Sequence, residues 1–370
     1  MKKILVILLG PMLLIGLGSC GLFRANTFKY EPVVNEIPTL EIKILMQDST
    51  LNVRALEVDQ ADTAVFATSN GEVGFIYTSK YLSLDYTNTE TLECQIFYDF
   101  NYSKDSVPNF RSVAKTKKQF FALAIGSPAT MFTAVNDSIW PIVYRENHPK
   151  AFYDSMEFWN DDEGIAIGDS TEGCLSVIIT RDGGNTWTKL TCDQLPKGIE
   201  GEGAFAASDT NIAIVGDKTW VATTAGRIYY SDDKGVTWTT VNTPIVKDKE
   251  TEGIYSIDFY DEYNGFGIGG DYTKPADSSA NKIRTKDGGK TWQLVAQNQS
   301  PGYRSCVQYV PNSNAKELVA IGFKGIDYSN DAGNSWTHLS DEDFYTIRFL
   351  NDSVAYAAGN KRIAKLSFKK

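Results

Sequence analysis

Four arginines lie at or just before segments in which apolar and polar residues alternate. They are Arg54 in NVRALEV, Arg111 in NFRSVAK, Arg304 in GYRSCVQ and Arg348 in TIRFLND. A guanidinium group presents a planar fork of N–H donors that fits a carboxylate. The four arginines therefore predict a binding site for the carboxy-terminus of a partner protein, or for an anionic or glycan ligand.

Carboxylates occupy related places in other segments. Asp169, Asp217 and Asp271 each follow a glycine at the end of an apolar stretch, and Asp154 and Glu202 lie at the start of one. If both places reach the same face of the fold, arginines and carboxylates line one opening with a basic half and an acidic half. The sequence leaves an alternative open, in which the arginines stack on neighbouring strands and the aspartates cap turns.

Composition argues against several other functions. The chain has 36 basic and 46 acidic residues, and a net charge of −10 disfavours nucleic acid as a partner. The two histidines, His148 and His338, stand apart from any cysteine or carboxylate cluster, so we predict no metal site. No glycine-rich nucleotide loop follows a predicted strand, and we expect no cofactor.

One motif recurs four times with the pattern Ser/Thr-x-Asp-x-Gly-x-Ser/Thr-Trp, and we call it the turn motif. Its aspartate and tryptophan are Asp182 and Trp187, Asp233 and Trp238, Asp287 and Trp292, and Asp331 and Trp336. The aspartate is expected to accept hydrogen bonds from backbone N–H groups two residues on, and the glycine to adopt a positive φ. The tryptophan is expected to be buried between sheets. We therefore predict a structural role for these residues rather than a catalytic one.

Each turn motif follows a pair of alternating segments, such as MEFWNDDEGIAIGD and AFAASDTNIAIVGD, which read as an inner strand, a turn and a second strand. The last such unit ends after RIAKLSF without a fourth strand. We expect Leu40 to Met46 to supply it and so to close a ring. Seven units are predicted, and they begin near Leu51, Phe110, Phe152, Glu202, Ile254, Tyr303 and Phe344.

The turn motif resembles the Asp-box, or BNR, repeat, and residues 50 to 368 resemble the Ycf48-like family of photosystem II assembly factors. The resemblance implies an all-β, seven-bladed β-propeller over residues 38 to 370, closed by the N-terminal strand. It also implies that the turn motif joins the third and fourth strands of a blade, away from the functional face. The expected function is that of a monomeric binding or assembly scaffold, and members of the family carry arginines on the propeller.

The Asp-box repeat also occurs in sialidases, so a glycoside hydrolase is the alternative function. That resemblance implies an arginine triad on the carboxylate of the substrate and a tyrosine nucleophile. Arg54, Arg111 and Arg304 are the candidates for the triad, and Tyr255 or Tyr303 for the nucleophile. The FRIP-type motif of such enzymes is absent, and no spacing requires this arrangement. We therefore do not assign catalytic residues.

The first 19 residues have the pattern of a signal peptide. Lys2 and Lys3 precede an apolar run that is shorter than the roughly 20 residues of a spanning helix. The stretch from Leu17 to Cys20 resembles the bacterial lipobox, which implies that Cys20 is acylated and that residues 20 to 37 form a tether. The expected location is the cell envelope, on the periplasm-facing outer membrane. An ordinary signal peptide with a chance cysteine is the alternative.

Cys174 and Cys192 flank the first turn motif symmetrically about Gly183. Strands paired around that turn would bring them to the Cα spacing of about 5.5 Å that a disulfide prefers. Because an exported protein is open to oxidation, we predict a disulfide between them. Burial of both as small apolar side chains is the alternative. Cys94 and Cys306 are expected to be free.

Overall fold

The computed structural model of the chain describes residues 36–59, 62–82, 89–99, 107–134 and 140–370. All the regular secondary structure in these ranges consists of β-strands. The described residues contain no helix that is long and apolar enough to cross a membrane. The strands form a β-propeller. Second strands such as Phe120–Ala124, Gly164–Gly168 and Gly265–Gly269 are buried at every residue, because neighbouring sheets cover both of their faces. The predicted signal peptide, residues 1–19, and residues 20–35 of the predicted tether, including Cys20, lie outside the described residues.

The strands are numbered along the chain. Strands β1 to β4 are Thr39–Asp59, Thr63–Thr68, Glu72–Leu82 and Thr89–Asp99. Strands β5 to β8 are Phe110–Lys115, Phe120–Ala124, Ala129–Thr133 and Ile142–Glu146. Strands β9 to β12 are Tyr153–Phe158, Gly164–Gly168, Ser176–Thr180 and Thr188–Lys189. Strands β13 to β16 are Ile212–Val215, Lys218–Ala222, Arg227–Ser231 and Thr239–Asn242.

The remaining strands follow the same order of four. Strands β17 to β20 are Ile254–Phe259, Gly265–Gly269, Lys282–Thr285 and Gln293–Leu294. Strands β21 to β24 are Cys306–Tyr309, Leu318–Gly322, Gly325–Ser329 and Thr337–Ser340. Strands β25 to β27 are Thr346–Phe349, Val354–Ala358 and Asn360–Lys369. All the strand pairs within the sheets are antiparallel.

The prediction of seven blades is wrong, because the described strands form six sheets. Five sheets have four strands each, and the sixth has seven in the order β25-β26-β27-β1-β2-β3-β4. The cause is the 21-residue strand β1, which pairs with β27 along its first half and with β2 along its second half. The first and last predicted units are therefore one hydrogen-bonded sheet in a six-bladed propeller. Leu40 does pair with Phe368, as expected for closure by the N-terminal strand.

The fourth predicted unit also differs from the structure. Residues 204–210 form no strand, and the innermost strand of this sheet is instead β13, Ile212–Val215. We call residues 204–210 the plug, because they run across the central channel and hydrogen-bond to the inner strands of the other sheets. The segment reads as an alternating strand in the sequence, but its polar atoms are satisfied by distant residues rather than by a neighbouring strand.

The four turn motifs share one hydrogen-bond pattern. In the first, Thr180 Oγ1 donates to Asp182 Oδ1 and accepts the Gly184 N–H, at 2.9 Å each. Asp182 then accepts the N–H of Thr186 at 2.9 Å and its hydroxyl at 2.7 Å. The carboxylate thus reaches four residues on, rather than the two expected. Gly184 has a φ of 84°, and a Cβ there would lie 2.2 Å from the Phe121 ring, so only glycine fits.

Each motif tryptophan fixes its turn against a core between two sheets. The indole N–H of Trp187 donates to Gly184 O at 3.2 Å, and the same bond recurs in the other three motifs. Trp187 packs edge-on against Phe121 and Phe158, which belong to the preceding sheet and to its own. Trp187 and Trp292 are buried, while Trp238 and Trp336 are partly exposed. The tryptophans therefore join neighbouring sheets.

A disulfide joins Cys174 and Cys192 with a Cα–Cα distance of 5.5 Å, on either side of the first turn motif. Cys306 is a free, buried cysteine, as expected. The side chain of Cys94 lies outside the described part of the chain.

We predict that Asp233→Ala lowers the free energy of unfolding by about 1–2 kcal/mol. The substitution removes the acceptor for the Ser231 hydroxyl and for the N–H groups of Val236 and Thr237. Urea denaturation measures the change. The matched control is Asp232→Ala at the exposed neighbouring position, which we expect to change stability by less than about 0.5 kcal/mol. Equal losses at the two positions would contradict the role given to the turn motif.

Candidate ligand-binding mouth

The two ends of the sheets have different structures. In the third sheet Tyr153 pairs with Gly168, which pairs with Ser176, so these residues share one end. Thr180, which leads into the first turn motif, lies at the other end opposite Gly164. The starts of the first strands therefore lie at the end remote from the turn motifs. We call that end the mouth.

Bulges aim four side chains at the mouth end. The pairing of β1 with β2 slips between Val53 and Ala55, which leaves Arg54 as the extra residue. The same slip leaves Arg111 in β5, Asp154 in β9 and Tyr255 in β17 as extra residues. A bulge bends the strand locally and redirects the side chain. The bulges therefore give these four residues equivalent positions in their sheets.

The plug closes the channel beneath the mouth. Asp209 accepts the backbone N–H groups of Val113 at 2.9 Å and of Met156 at 3.3 Å. On the opposite side, Ser208 Oγ donates to Ser305 O at 2.7 Å, and Thr346 Oγ1 donates to Ser208 O at 2.8 Å. These bonds reach the first strands of four different sheets or their preceding residues. The plug is therefore a fixed floor.

Above this floor lies a cavity of about 430 Å³. Two arginines and a set of aromatic rings line it, with Ala206, Ala207 and Ser305 at its base. The arginines are Arg54 and Arg111, and the aromatic residues include Phe205, Tyr255, Tyr272, Tyr303, Phe323 and Tyr345. We call this cavity the mouth cavity.

The two arginines are held by neutral groups. Arg54 Nη1 donates to Ala207 O at 3.1 Å, and its guanidinium lies 4.0 Å from the centre of the Tyr345 ring. Arg111 donates to Ala206 O at 3.2 Å and to Asn109 Oδ1 at 3.0 Å. Burial, and next the charge of Arg54, lowers the pKa of Arg111 to about 10. Arg111 thus stays charged at neutral pH. The hydrogen bonds described for the two arginines go to neutral oxygens, and the carboxyl group of the buried Asp154 acts on Arg111 through its charge, which raises the Arg111 pKa.

The aromatic residues form a cluster of their own beside the arginines. Phe205 stacks on Tyr255 with ring centres 3.7 Å apart, and Tyr303 meets Tyr255 edge-on at 4.7 Å. Phe323 lies 5.4 Å from Tyr303. This cluster is separate from the apolar clusters that fill the spaces between sheets. It forms a wall of the mouth cavity.

The other two predicted arginines, Arg304 and Arg348, do not line the mouth cavity. Arg304 Nε donates to Asp327 at 2.7 Å, and this ion pair is buried. Arg348 donates to Glu57 at 2.8 Å and to the carbonyl of Asp209 at 2.8 Å. Arg348 lines a second cavity of about 390 Å³ below the plug, together with Glu157 and Asp258. Of the four arginines, two line the mouth cavity.

Of the predicted carboxylates, Asp154 and Asp169 interact with each other through their charges, and Asp154 also interacts with Arg111. Asp154 is fully buried, and Asp169 accepts the Ala204 N–H at 3.2 Å. Asp271 accepts the hydroxyl and N–H of Thr273 at 2.6 and 2.9 Å, which lowers its pKa. Asp217 is placed at the turn-motif end, 3.5 Å from Lys234, because it follows the first strand of its sheet rather than the second.

Glu202 is also committed within the fold. Its carboxylate pairs with Arg227 and accepts a hydrogen bond from the Thr223 hydroxyl at 2.9 Å.

Sequence reasoning missed the aromatic wall of the mouth cavity. Tyr255 and Tyr303 entered only as candidates for a nucleophile, and the other rings were not considered. A usable signal existed, because Tyr303 and Tyr345 precede first strands and Phe323 follows a second strand. These are the same places in the repeat that identified the arginines and aspartates.

The geometry does not assemble the arrangement expected of a sialidase. Arg304 is turned to Asp327 instead of joining Arg54 and Arg111. The Tyr255 hydroxyl donates to Thr251 O at 2.9 Å, and burial raises the pKa values of Tyr255 and Tyr303. Within the described residues, no group of three or more His, Cys, Asp or Glu side chains is placed to hold a metal ion.

Comparison with solved structures shows the fold. A structure described as YCF48 bound to D1 peptide aligns with a TM-score of 0.60 and 13% identity, over 90% of this chain and 98% of that chain. The WD40 β-propeller domain of Doa1 aligns with a TM-score of 0.57 and 9% identity, over 89% and 97% of the two chains. No family profile and no curated protein matches the sequence. The chain is thus similar in fold to two propellers.

We predict that Asp169→Asn removes a pH-dependent loss of stability. Burial raises the pKa of Asp169 to about 6, against about 3.9 in an unfolded chain. Between these values the folded state holds more protons than the unfolded state, so stability falls as the pH rises. Asparagine stays neutral and keeps an oxygen for the Ala204 N–H.

The measurement is urea denaturation from pH 4 to pH 8. The stability of Asp169→Asn relative to the wild type should rise between about pH 4 and pH 6 and then stay level. Asp352→Asn, at an exposed position, is the control. A relative stability of Asp169→Asn that is independent of pH, or that falls as the pH rises, would contradict the raised pKa.

Proposed function

We propose that this protein is a protein-binding scaffold whose mouth cavity captures an anionic segment of a partner through Arg54 and Arg111. One observation carries the proposal: two partly buried guanidinium groups share a cavity in which carbonyls and an amide, rather than carboxylates, hold them. The carboxyl group that acts on Arg111 is that of Asp154, and burial raises the pKa of Asp154, so it neutralises the two arginines only in part. Incompletely neutralised cations in such a site gain from an incoming carboxylate.

The size of the cavity favours part of a chain as its occupant. About 430 Å³ lies near the lower end of the range of ligand pockets, which accommodates one or two side chains but not a folded loop. Tyrosine and arginine are also among the residues that contribute most to protein interfaces. The mouth cavity combines both residue types on a fixed floor, so little ordering is needed on binding.

The comparisons support the proposal at the level of fold. Propellers of the same architecture include a protein described as bound to a peptide, and a WD40 domain. The shared hydrogen-bond pattern of the four turn motifs supports a relationship to Asp-box repeats. Because the motifs lie at the end remote from the mouth, they leave the mouth free for a ligand.

We further propose that the scaffold is exported and lipid-anchored through Cys20. The lipobox-like stretch from Leu17 to Cys20 supports the anchor. The disulfide between Cys174 and Cys192 supports an oxidising compartment, since such bonds are rare in the cytosol. The anchor would keep the scaffold at a membrane surface while the mouth cavity binds a partner.

The binding prediction concerns the mouth arginines. The purified full chain is panned against a displayed library of short random peptides with free carboxy-termini. Selected peptides should be enriched in Asp and Glu, or should bind more weakly once their carboxy-terminus is amidated. Arg54→Gln or Arg111→Gln should weaken the binding of the selected peptides by about tenfold or more. Fluorescence polarisation measures the affinities, and near-ultraviolet circular dichroism checks that each variant is folded.

The matched control is Arg145→Gln. Arg145 is exposed, lines a different cavity and donates to Asn147. Its replacement should leave peptide binding unchanged. Selected peptides that bind both mouth variants as tightly as the wild type would overturn the proposed site.

The anchor prediction concerns Cys20. We expect Cys20→Ser to abolish incorporation of a labelled fatty acid and to move the protein from the detergent phase to the aqueous phase in Triton X-114 partitioning. Cys306→Ser, which changes a buried free cysteine, is the control and should stay in the detergent phase. Equal labelling of wild type and Cys20→Ser would refute acylation at this residue.

A further inference from the structure

We propose that the aromatic wall of the mouth cavity binds a large apolar side chain that lies next to the anionic group of the ligand. The preferred ligand is then a polypeptide segment in which a carboxylate adjoins an aromatic or large aliphatic residue. This inference rests on the proposed function and names the class of segment that the same site selects.

The first support is that the rings are available. Phe205, Phe323 and Tyr345 are only partly buried, and the side chain of Tyr272 is 48% exposed. Together with Tyr303 they surround a cavity instead of filling the space between sheets. Partly exposed rings that line one cavity form an apolar surface, and covering such a surface is favourable by about 25 cal/mol per Å².

The second support is that the ring faces of the wall are apolar. Phe205 and Phe323 carry no polar side-chain atom, and the Tyr255 hydroxyl is committed to Thr251 O at 2.9 Å. A sugar hydroxyl placed on these ring faces would lose its hydrogen bond to water, at a cost of about 1–3 kcal/mol. An apolar side chain has no such cost, so the ring faces favour an apolar side chain over a sugar.

The third support is that the rim of the wall is fixed in place. Tyr272 belongs to the insertion from Asp271 to Lys282, which the sequence places after a second strand. The insertion is tied to the wall because the Tyr303 N–H donates to Pro275 O at 3.1 Å. Tyr272 in turn lies edge-on to Tyr303, with ring centres 6.4 Å apart. The insertion thus places one more ring over the apolar part of the cavity.

The arginines and the rings are close enough to contact adjacent groups of one ligand. Arg54 lies on the ring of Tyr345, and the positive charge of Arg54 acts on the hydroxyl of Tyr303. A carboxylate on Arg54 and Arg111 would therefore place the neighbouring side chain against Tyr303 and Phe323. The volume of about 430 Å³ suffices for such a pair of groups.

The test compares four synthetic peptides on the full chain by fluorescence polarisation. They are Gly-Ser-Gly-Phe-Glu and Gly-Ser-Gly-Ala-Glu and their carboxamide counterparts with Gln in place of Glu. All four have an amidated carboxy-terminus, so that only the Glu side chain supplies a carboxylate. We expect the first peptide to bind about tenfold tighter than the second, and the carboxamides to bind weakest. Phe323→Ala and Tyr272→Ala should weaken only the phenylalanine peptide, by about tenfold.

The control for the ring variants is Tyr263→Ala, because Tyr263 is 56% exposed in the β17–β18 turn at the opposite end. It should leave all affinities unchanged. If the alanine and phenylalanine peptides bind equally well and Arg54→Gln weakens both, the aromatic subsite is wrong and the proposed function stands. If Arg54→Gln and Arg111→Gln weaken neither, the proposed function itself falls.

Two competitors separate the ligand classes. Sialyllactose that displaces the phenylalanine peptide at a lower concentration than the unlabelled peptide would overturn the inference in favour of a glycan. N-acetylphenylalanine that binds as tightly as the peptide would overturn it in favour of a small aromatic acid. Weaker competition by both compounds supports a polypeptide segment.

Discussion

The mouth depends on the hydrogen bonds that hold the plug across the central channel. Asp209 adopts a left-handed conformation with a φ of 59°, and its carboxylate accepts N–H groups from β5 and β9. Its backbone carbonyl accepts Arg348 from the opposite side of the ring. Full burial raises the pKa of Asp209, an effect that the charge of Arg348 opposes. A single buried residue thereby links three sheets and fixes the floor on which the mouth arginines lie.

Elements whose hydrogen bonds join nearby residues can be predicted from the sequence, whereas elements held by residues far away in the chain cannot. The turn motifs are recognisable because the side-chain hydrogen bonds of each motif aspartate join residues within four positions, as in Asp182 and Thr186. The plug is not recognisable, because AFAASDT has the alternation of a strand while its partners, such as Val113 and Thr346, are about 100 residues or more away. The predicted number of blades is wrong for a related reason. Nothing local shows that β1 remains paired along both halves.

The sequence predicted part of the candidate site, and bulges explain which of the predicted arginines line the mouth cavity. Arg54 and Arg111 are both bulge residues, and their redirected side chains reach the mouth cavity. Arg304 precedes β21 and finds Asp327, whereas Arg348 lies two residues inside β25 and reaches Glu57 below the plug. Position in the repeat indicates the correct end of the sheet. It does not indicate the direction of the side chain, which depends on partners in other strands.

The two ends of the propeller therefore have different physical requirements. At the turn-motif end, each aspartate is satisfied by its own turn, and each indole is fixed against a core. At the mouth end, two like charges are held near each other by carbonyl groups, beside a buried aspartate, Asp154, that lacks a hydrogen-bond partner. Such an arrangement costs stability, because like charges repel and an unsatisfied buried carboxyl is unfavourable. The hydrogen bonds of the turn motifs at the other end of the sheets add stability that offsets this cost. Binding of an anion would relieve part of the repulsion between Arg54 and Arg111, so the mouth end gains stability when a ligand is bound.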